Sequence, residues 1–180
     1  RKKSMFMPAN QICIVRCTVR VFKTWGNKST ASTSLLLYGD NNYMRYWLIK
    51  TEPEEWSWQQ QVKSGNEEVE WNGVRNFQAA KNLRNMKIGD KCFFYHTGKT
   101  KSIMGIVKVK KGAFWDKSDK TKKFVSVAVK ALYPLKREVG LQEIKKDKDF
   151  RDFALVKQSR LSVMKVDLKY WKKICKMGKV

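Results

Sequence analysis

The pattern of apolar and polar positions divides the chain at about residue 44. From there on it alternates between strand-like and helix-like stretches. Arg45-Tyr46-Trp47-Leu48-Ile49-Lys50 is aromatic and β-branched and reads as a buried strand, ended by Thr51-Glu52-Pro53 because proline cannot continue a central ladder. Ser57 followed by Gln60 is a capping box for a short helix to about Ser64, with Gly65 as its stop. Glu67–Trp71 reads as a polar connection. Asn76–Met86 is the clearest helix, with Phe77, Ala80 and Leu83 on one stripe and Gly89 after it. Lys91–His96, Ser102–Lys111 and Lys122–Tyr133 follow as strands, the second with Gly105 inside it. Leu141–Lys145 reads as a short helix, and Phe153–Val156 and Leu161–Val166 as further strands. Asp167 is placed to cap a final helix that carries Leu168, Trp171 and Ile174-Cys175 on one face. Strands with short helices inserted between them predict an α+β domain around a small curved sheet or barrel.

The first 43 residues show no such period. They hold seven basic residues and one acid, Asp40, and are rich in Ser and Thr. This composition reads as a basic extension outside the domain, either disordered or a transit-like segment. Gly39-Asp40-Asn41-Asn42 is a turn signal at the boundary. The predicted organisation is a 1–43 extension and a 44–180 domain. The compartment is organellar if the extension is a transit peptide, and cytoplasmic or nuclear otherwise.

Charge adds a class of partner. The chain of 180 residues carries 39 Lys and Arg against 16 Asp and Glu, a net charge of +23. Such an excess points to a polyanion. With 42% hydrophobic and 12% aromatic residues the chain can still build a core. No apolar run approaches the roughly 20 residues of a membrane span, so no membrane partner is expected. Metal chemistry is not expected either. Cys13 and Cys17 are spaced as some zinc ligands are, but no second pair follows and His96 is the sole histidine. Cys92, in an apolar run, reads as a small buried hydrophobe. No cofactor motif is present.

Three islands carry the candidate chemistry: Tyr46–Pro53, Trp71–Ala79 and Phe93–Gly98. Each places polar side chains at the end of an apolar element. Aromatic walls that stack on a flat heterocycle, with amide, imidazole and ammonium groups to read its edge, are what an extruded nucleobase requires. Arg75 reads as a phosphate clamp or as a partner of Glu52 or Glu70. A catalytic alternative would rest on Glu52, Glu70 or His96 as acid or base.

In order and spacing these islands resemble the EVE domain family. The resemblance rests on Tyr46-Trp47-Leu48-Ile49-Lys50-Thr51-Glu52-Pro53, on Trp71-Asn72-Gly73-Val74-Arg75-Asn76-Phe77-Gln78-Ala79, on Phe93-Phe94-Tyr95-His96-Thr97 and on Arg160-Leu161-Ser162-Val163. It covers Arg45 to the C-terminus. Thr51, Phe77 and Thr97 stand where the family usually has Ser, Tyr and Ser. The resemblance implies a PUA-like fold, related in shape to the YTH readers of methylated RNA. It also implies a non-catalytic module that recognises a modified, for example methylated or hydroxymethylated, base in DNA or RNA. On this basis Lys50, Thr51, Trp71, Val74, Asn76, Tyr95, His96, Arg160 and Ser162 are expected to form the ligand site. Arg75, Lys81, Lys99 and Lys120 are expected to meet the phosphate backbone, and the protein is expected to act as a monomer. The rival functions are an enzyme acting on a nucleobase and a general RNA-binding protein without preference for modification.

Overall fold

The computed structural model describes residues 44–180. The expectations about the 1–43 extension and about Cys13 and Cys17 lie outside them.

Six strands form one mixed sheet: β1 (Tyr46–Thr51), β2 (Val69–Trp71), β3 (Lys91–His96), β4 (Ser102–Trp115), β5 (Val125–Gly140) and β6 (Val163–Val166), in the order β2-β5-β4-β3-β1-β6. β1 and β3 run parallel, with Lys50 beside Tyr95 and Thr51 beside His96. The connection between them carries α1 (Trp58–Lys63), β2 and α2 (Phe77–Arg84). α3 (Leu141–Lys146), a 3₁₀ turn, α4 (Ala154–Lys157) and α5 (Leu168–Met177) complete the fold.

The apolar run on β3 is buried on both faces, so it does not alternate. Phe93 stacks on Trp171 of α5 at 4.0 Å, and Trp171 stacks in turn on Tyr46. Phe94 faces the other way and meets Trp58 at 5.3 Å and Trp71 at 5.6 Å, both edge to face. The contact with Trp71 sets the shape of the domain. β2 and β3 are three places apart in the sheet, which would separate them by about 14 Å if the sheet were flat. A ring distance of 5.6 Å requires the sheet to curl until its β2 edge closes over β3.

Gly105 makes this closure possible. It lies opposite Phe94 on β4, and a Cβ there would stand 2.3 Å from the Trp58 ring. Trp58 takes that space, and its backbone N–H donates to His96 Nε2 at 3.0 Å, so α1 is held to the end of β3. The Ser57 capping box is present as expected. At the start of β1, buried Asp90 accepts from the Trp47 indole at 2.8 Å and from the Arg45 and Lys87 backbone N–H groups.

Several expectations are corrected. The polar connection at Glu67–Trp71 contains β2, which pairs with β5 through Trp71 and Val127. Phe153–Val156 is not a strand: Phe153 precedes the one-turn α4. β4 and β5 extend well past Lys111 and Tyr133 as a long hairpin: Phe114 and Trp115 pair with Ser126 and Val125 at one end, and Ile103 and Ser102 pair with Val139 and Gly140 at the other. Phe77 is 69% exposed and not on the buried stripe of α2, which consists of Ala79, Ala80 and Leu83. As the first helical residue, its Cβ leans back past the helix start, where no preceding turn covers it. Leu168, expected on the buried face of α5, is exposed at 49%.

Replacing Gly105 with Ala should drive the Trp58 ring out of place and cost about 1–3 kcal/mol, as overpacking does. Urea denaturation checks this. An unchanged midpoint would mean that Trp58 does not depend on the gap.

Candidate functional site

The curl leaves a cavity of about 710 Å³ where the two ends of the sheet approach each other. One wall is the free edge of β2, Val69–Trp71, with the segment that follows it to Asn76. The opposite wall is Lys50 and Thr51 from β1, with Ser162 just before β6. Glu55 and Trp56, ahead of α1, close one side. The volume lies within the roughly 300–1,000 Å³ of small-molecule sites.

Trp71 is buried, braced by Phe94, and forms an aromatic wall. Trp56 is half-buried, and its indole N–H donates to Gln61 Oε1 at 3.0 Å. These two indoles supply stacking surface, while Val74 adds an apolar contact. Asn76 caps α2: its Oδ1 accepts from the Ala79 N–H at 3.0 Å, so its amide NH₂ is the end left to face a ligand. Thr51 is buried, with its hydroxyl donating to the Glu52 carbonyl at 3.3 Å.

The two cations of the cavity are held differently. Arg75 is committed to the protein: it donates to Asp116 Oδ2 and to Ser118 Oγ, both at 2.7 Å, and its guanidinium lies 5.5 Å from the Phe124 ring centroid. Its carboxylate is therefore Asp116, not Glu52 or Glu70. Asp116 is buried and also accepts from the Gly73 N–H at 3.0 Å and from both the backbone and the hydroxyl of Ser118. Burial works against its charge, but the hydrogen bonds from Ser118, Arg75 and Gly73 outweigh this and hold its pKa at about 2. The same contacts fix the turn at Gly73, which takes the left-handed φ of 76° that glycine tolerates.

Lys50 has no carboxylate partner among the described residues. Its ammonium donates to the Ser159 carbonyl at 2.9 Å and lies 5.7 Å from the Tyr95 ring centroid. Burial without a counter-charge lowers its pKa to about 8. An acceptor on a ligand would relieve that cost.

Of the expected ligand residues, Lys50, Thr51, Trp71, Val74, Asn76 and Ser162 line this cavity together, with Arg75. Tyr95, His96 and Arg160 do not. Tyr95 is buried beneath Lys50, and burial pushes its phenol up to about 12. His96 is buried against Phe94, and its Nε2 is used by the Trp58 N–H. Burial lowers its pKa, while the carboxylates of Glu138 and Glu54 pull the other way. It acts as a fastener for α1. Arg160 is exposed, outside the lining. Lys81, Lys99 and Lys120 are exposed on α2, after β3 and in the β4–β5 loop. Glu70 lines the cavity and pairs with Lys117 at 3.1 Å. Trp56, Asp116 and Ser118 lie outside the motif residues from which the sequence predicts the site. An acid followed two positions later by serine is an Asx-turn pattern, a signal that was available for Asp116.

The EVE domain sequence profile matches residues 45–177. The chain belongs to the EVE domain family. Among its relatives, thymocyte nuclear protein 1 of Mus musculus is 32% identical over 143 residues, which is 66% of this chain and 63% of that protein. The chain thus matches somewhat less than two thirds of that relative's length. Among solved structures, Rpa0253 from Rhodopseudomonas palustris shares 44% identity with a TM-score of 0.72, covering 76% of this chain and 94% of that one. Human THYN1, solved in complex with DNA containing 5-methylcytosine, shares 26% identity with a TM-score of 0.67, covering 76% and 98%. The curled sheet of this EVE domain is the PUA-like fold of these relatives.

Asp116→Asn should cost about 2–3 kcal/mol, because a buried charged acceptor of several hydrogen bonds is lost. Since folding lowers the Asp116 pKa, its stabilisation is fully present above about pH 4 and declines as the pH falls toward 2. The gap between wild type and variant in urea unfolding should narrow over that range. A gap that does not change with pH would contradict this role.

Proposed function

We propose that the EVE domain of this protein is a non-catalytic nucleic-acid-binding module that takes a modified base, extruded from DNA or RNA, into the cavity at the seam of the sheet. The observation that carries this reading is the cavity itself: indoles from Trp71 and Trp56 line it together with a half-buried lysine that has no carboxylate partner among the described residues. The methylcytosine-DNA complex of human THYN1 supports the same class of ligand.

In this reading the net charge of +23 draws the backbone in, and the base leaves its stack to enter between the indoles. Lys50 donates to a ring nitrogen or carbonyl, and the Asn76 amide and Ser162 test the remaining edge. A methyl-sized group gains apolar contact with Val74 or an indole, which limits the preference to about 1–3 kcal/mol. Arg75, already bound to Asp116 and Ser118, keeps the cavity wall in shape, and its Nε–H and remaining Nη2 hydrogen are left to meet a phosphate. The module works as a single copy, and the names of its curated relatives favour the nucleus as its compartment.

Trp71→Ala and Trp56→Ala should each reduce the preference for a 5-methylcytosine oligonucleotide over its plain counterpart. Lys120→Ala should weaken both alike and lower the salt slope by about one. Trp71 also supports the core, so its variant is compared at matched fractions folded, while Trp56, half-buried, gives an independent reading. Equal losses for the indole and lysine variants would favour a general polyanion binder and contradict the pocket. Titrations at two salt concentrations provide the comparison.

A further inference from the structure

Phe77 is a large apolar side chain left 69% exposed beside the cavity. It directly follows Asn76, which lines the cavity, and its ring packs on Phe124 at 5.2 Å. Phe124 carries Arg75 on its ring, so Arg75, Phe124 and Phe77 form a continuous rim. The ring is therefore held on one side and open to solvent on the other. Such a surface is costly to expose and is ready to stack.

The charge beside it is positive. Lys81 and Arg84 lie four and seven residues on, which puts them on the same face of α2 as Phe77. Both are exposed. Arg84 donates to the carbonyl of Lys123, which brings the loop with Lys120, Lys122 and Lys123 alongside the helix. The acids of this loop are occupied: Asp119 accepts from Thr121, Lys123 and Phe124, and Asp116 holds Arg75.

We infer that Phe77 is a second nucleotide-binding position, on which the base next to the captured one stacks, while Lys81 and Arg84 receive the phosphates of the strand that leaves the cavity along α2. This rests on the base-capture reading above and extends it to the flanking strand. The distance from Phe77 to Arg84 along the helix is about 10 Å, or about three base steps of roughly 3.4 Å. The contact is aromatic, so loss of the tyrosine hydroxyl that the family usually carries at this position does not weaken it.

The test uses the full chain and oligonucleotides with one 5-methylcytosine, whose neighbour on either side is a normal base or an abasic spacer. Phe77→Ala should weaken binding roughly 5- to 150-fold, the range measured for loss of one stacked base, and Phe77→Trp should restore it. In the wild type, the spacer on one side should cost a similar factor. In Phe77→Ala it should cost nothing more, because the stacking partner is already gone. Independent, multiplicative losses, or full affinity in Phe77→Ala, would overturn the inference. The ratio of methylated to plain affinity separates the two proposals. It should be unchanged in Phe77→Ala, and its absence in the wild type would refute base capture while leaving the coupling between Phe77 and the spacer readable.

Discussion

The edge-to-face contact of Trp71 with Phe94 is what the rest of the domain depends on. It links the β2 edge of the sheet to a strand three places away, and among the described residues no backbone ladder does this. Trp58 packs on the same ring, in the space that Gly105 leaves opposite it. The aromatic cluster therefore acts as a hinge pin for the curl. Because the closure is made by side chains, the two ends of the sheet meet without pairing, and the gap between them is the cavity. One residue, Trp71, both closes the fold and forms a wall of the site. A short three-residue edge strand suffices, since the packing of Trp71 on Phe94 adds to its ladder with β5.

The polar groups of the cavity divide into those that hold it and those left free. Asp116 gathers the Gly73 backbone, Arg75 and Ser118 into one buried network. A satisfied network of this kind fixes geometry. Lys50 is the opposite case, a cation on the wall whose one partner among the described residues is a carbonyl, and whose pKa is lowered. Lys50 and the Asn76 amide keep unused donors among the described residues, and the proposed base capture draws on them.

Much of the fold was legible in the sequence. The β1 and β3 runs, the Ser57 capping box and the helix after Asn76 each carry a strong local signal. The site was legible in part, because its motif residues end the elements that converge on the seam. What was hidden depends on long-range packing. Tyr95 and His96 end a strand, as cavity residues often do, but both faces of β3 are covered, so Tyr95 is buried beneath Lys50 and His96 fastens α1. β2 is too short and too polar to announce itself, and becomes a strand only because β5 and Phe94 receive it. Phe77 fits the helical stripe by spacing, yet it is the first residue of its helix, and spacing does not show what covers a helix end. The link from Arg75 to Asp116 spans 41 residues and reaches the turn of the long hairpin, whose length the alternation from Lys122 to Tyr133 does not reveal.

The most direct measurement follows the seven tryptophan indole N–H signals by heteronuclear NMR as a short 5-methylcytosine oligonucleotide is added. Trp71 and Trp56 line the cavity, whereas the Trp47 indole is tied to buried Asp90 away from it and serves as an internal reference. Base capture predicts saturable shifts of the Trp71 and Trp56 indoles with Trp47 unmoved, and smaller shifts with the unmodified oligonucleotide. Shifts confined to backbone amides of the lysine-rich segments, with the Trp71 and Trp56 indoles unchanged, would contradict it.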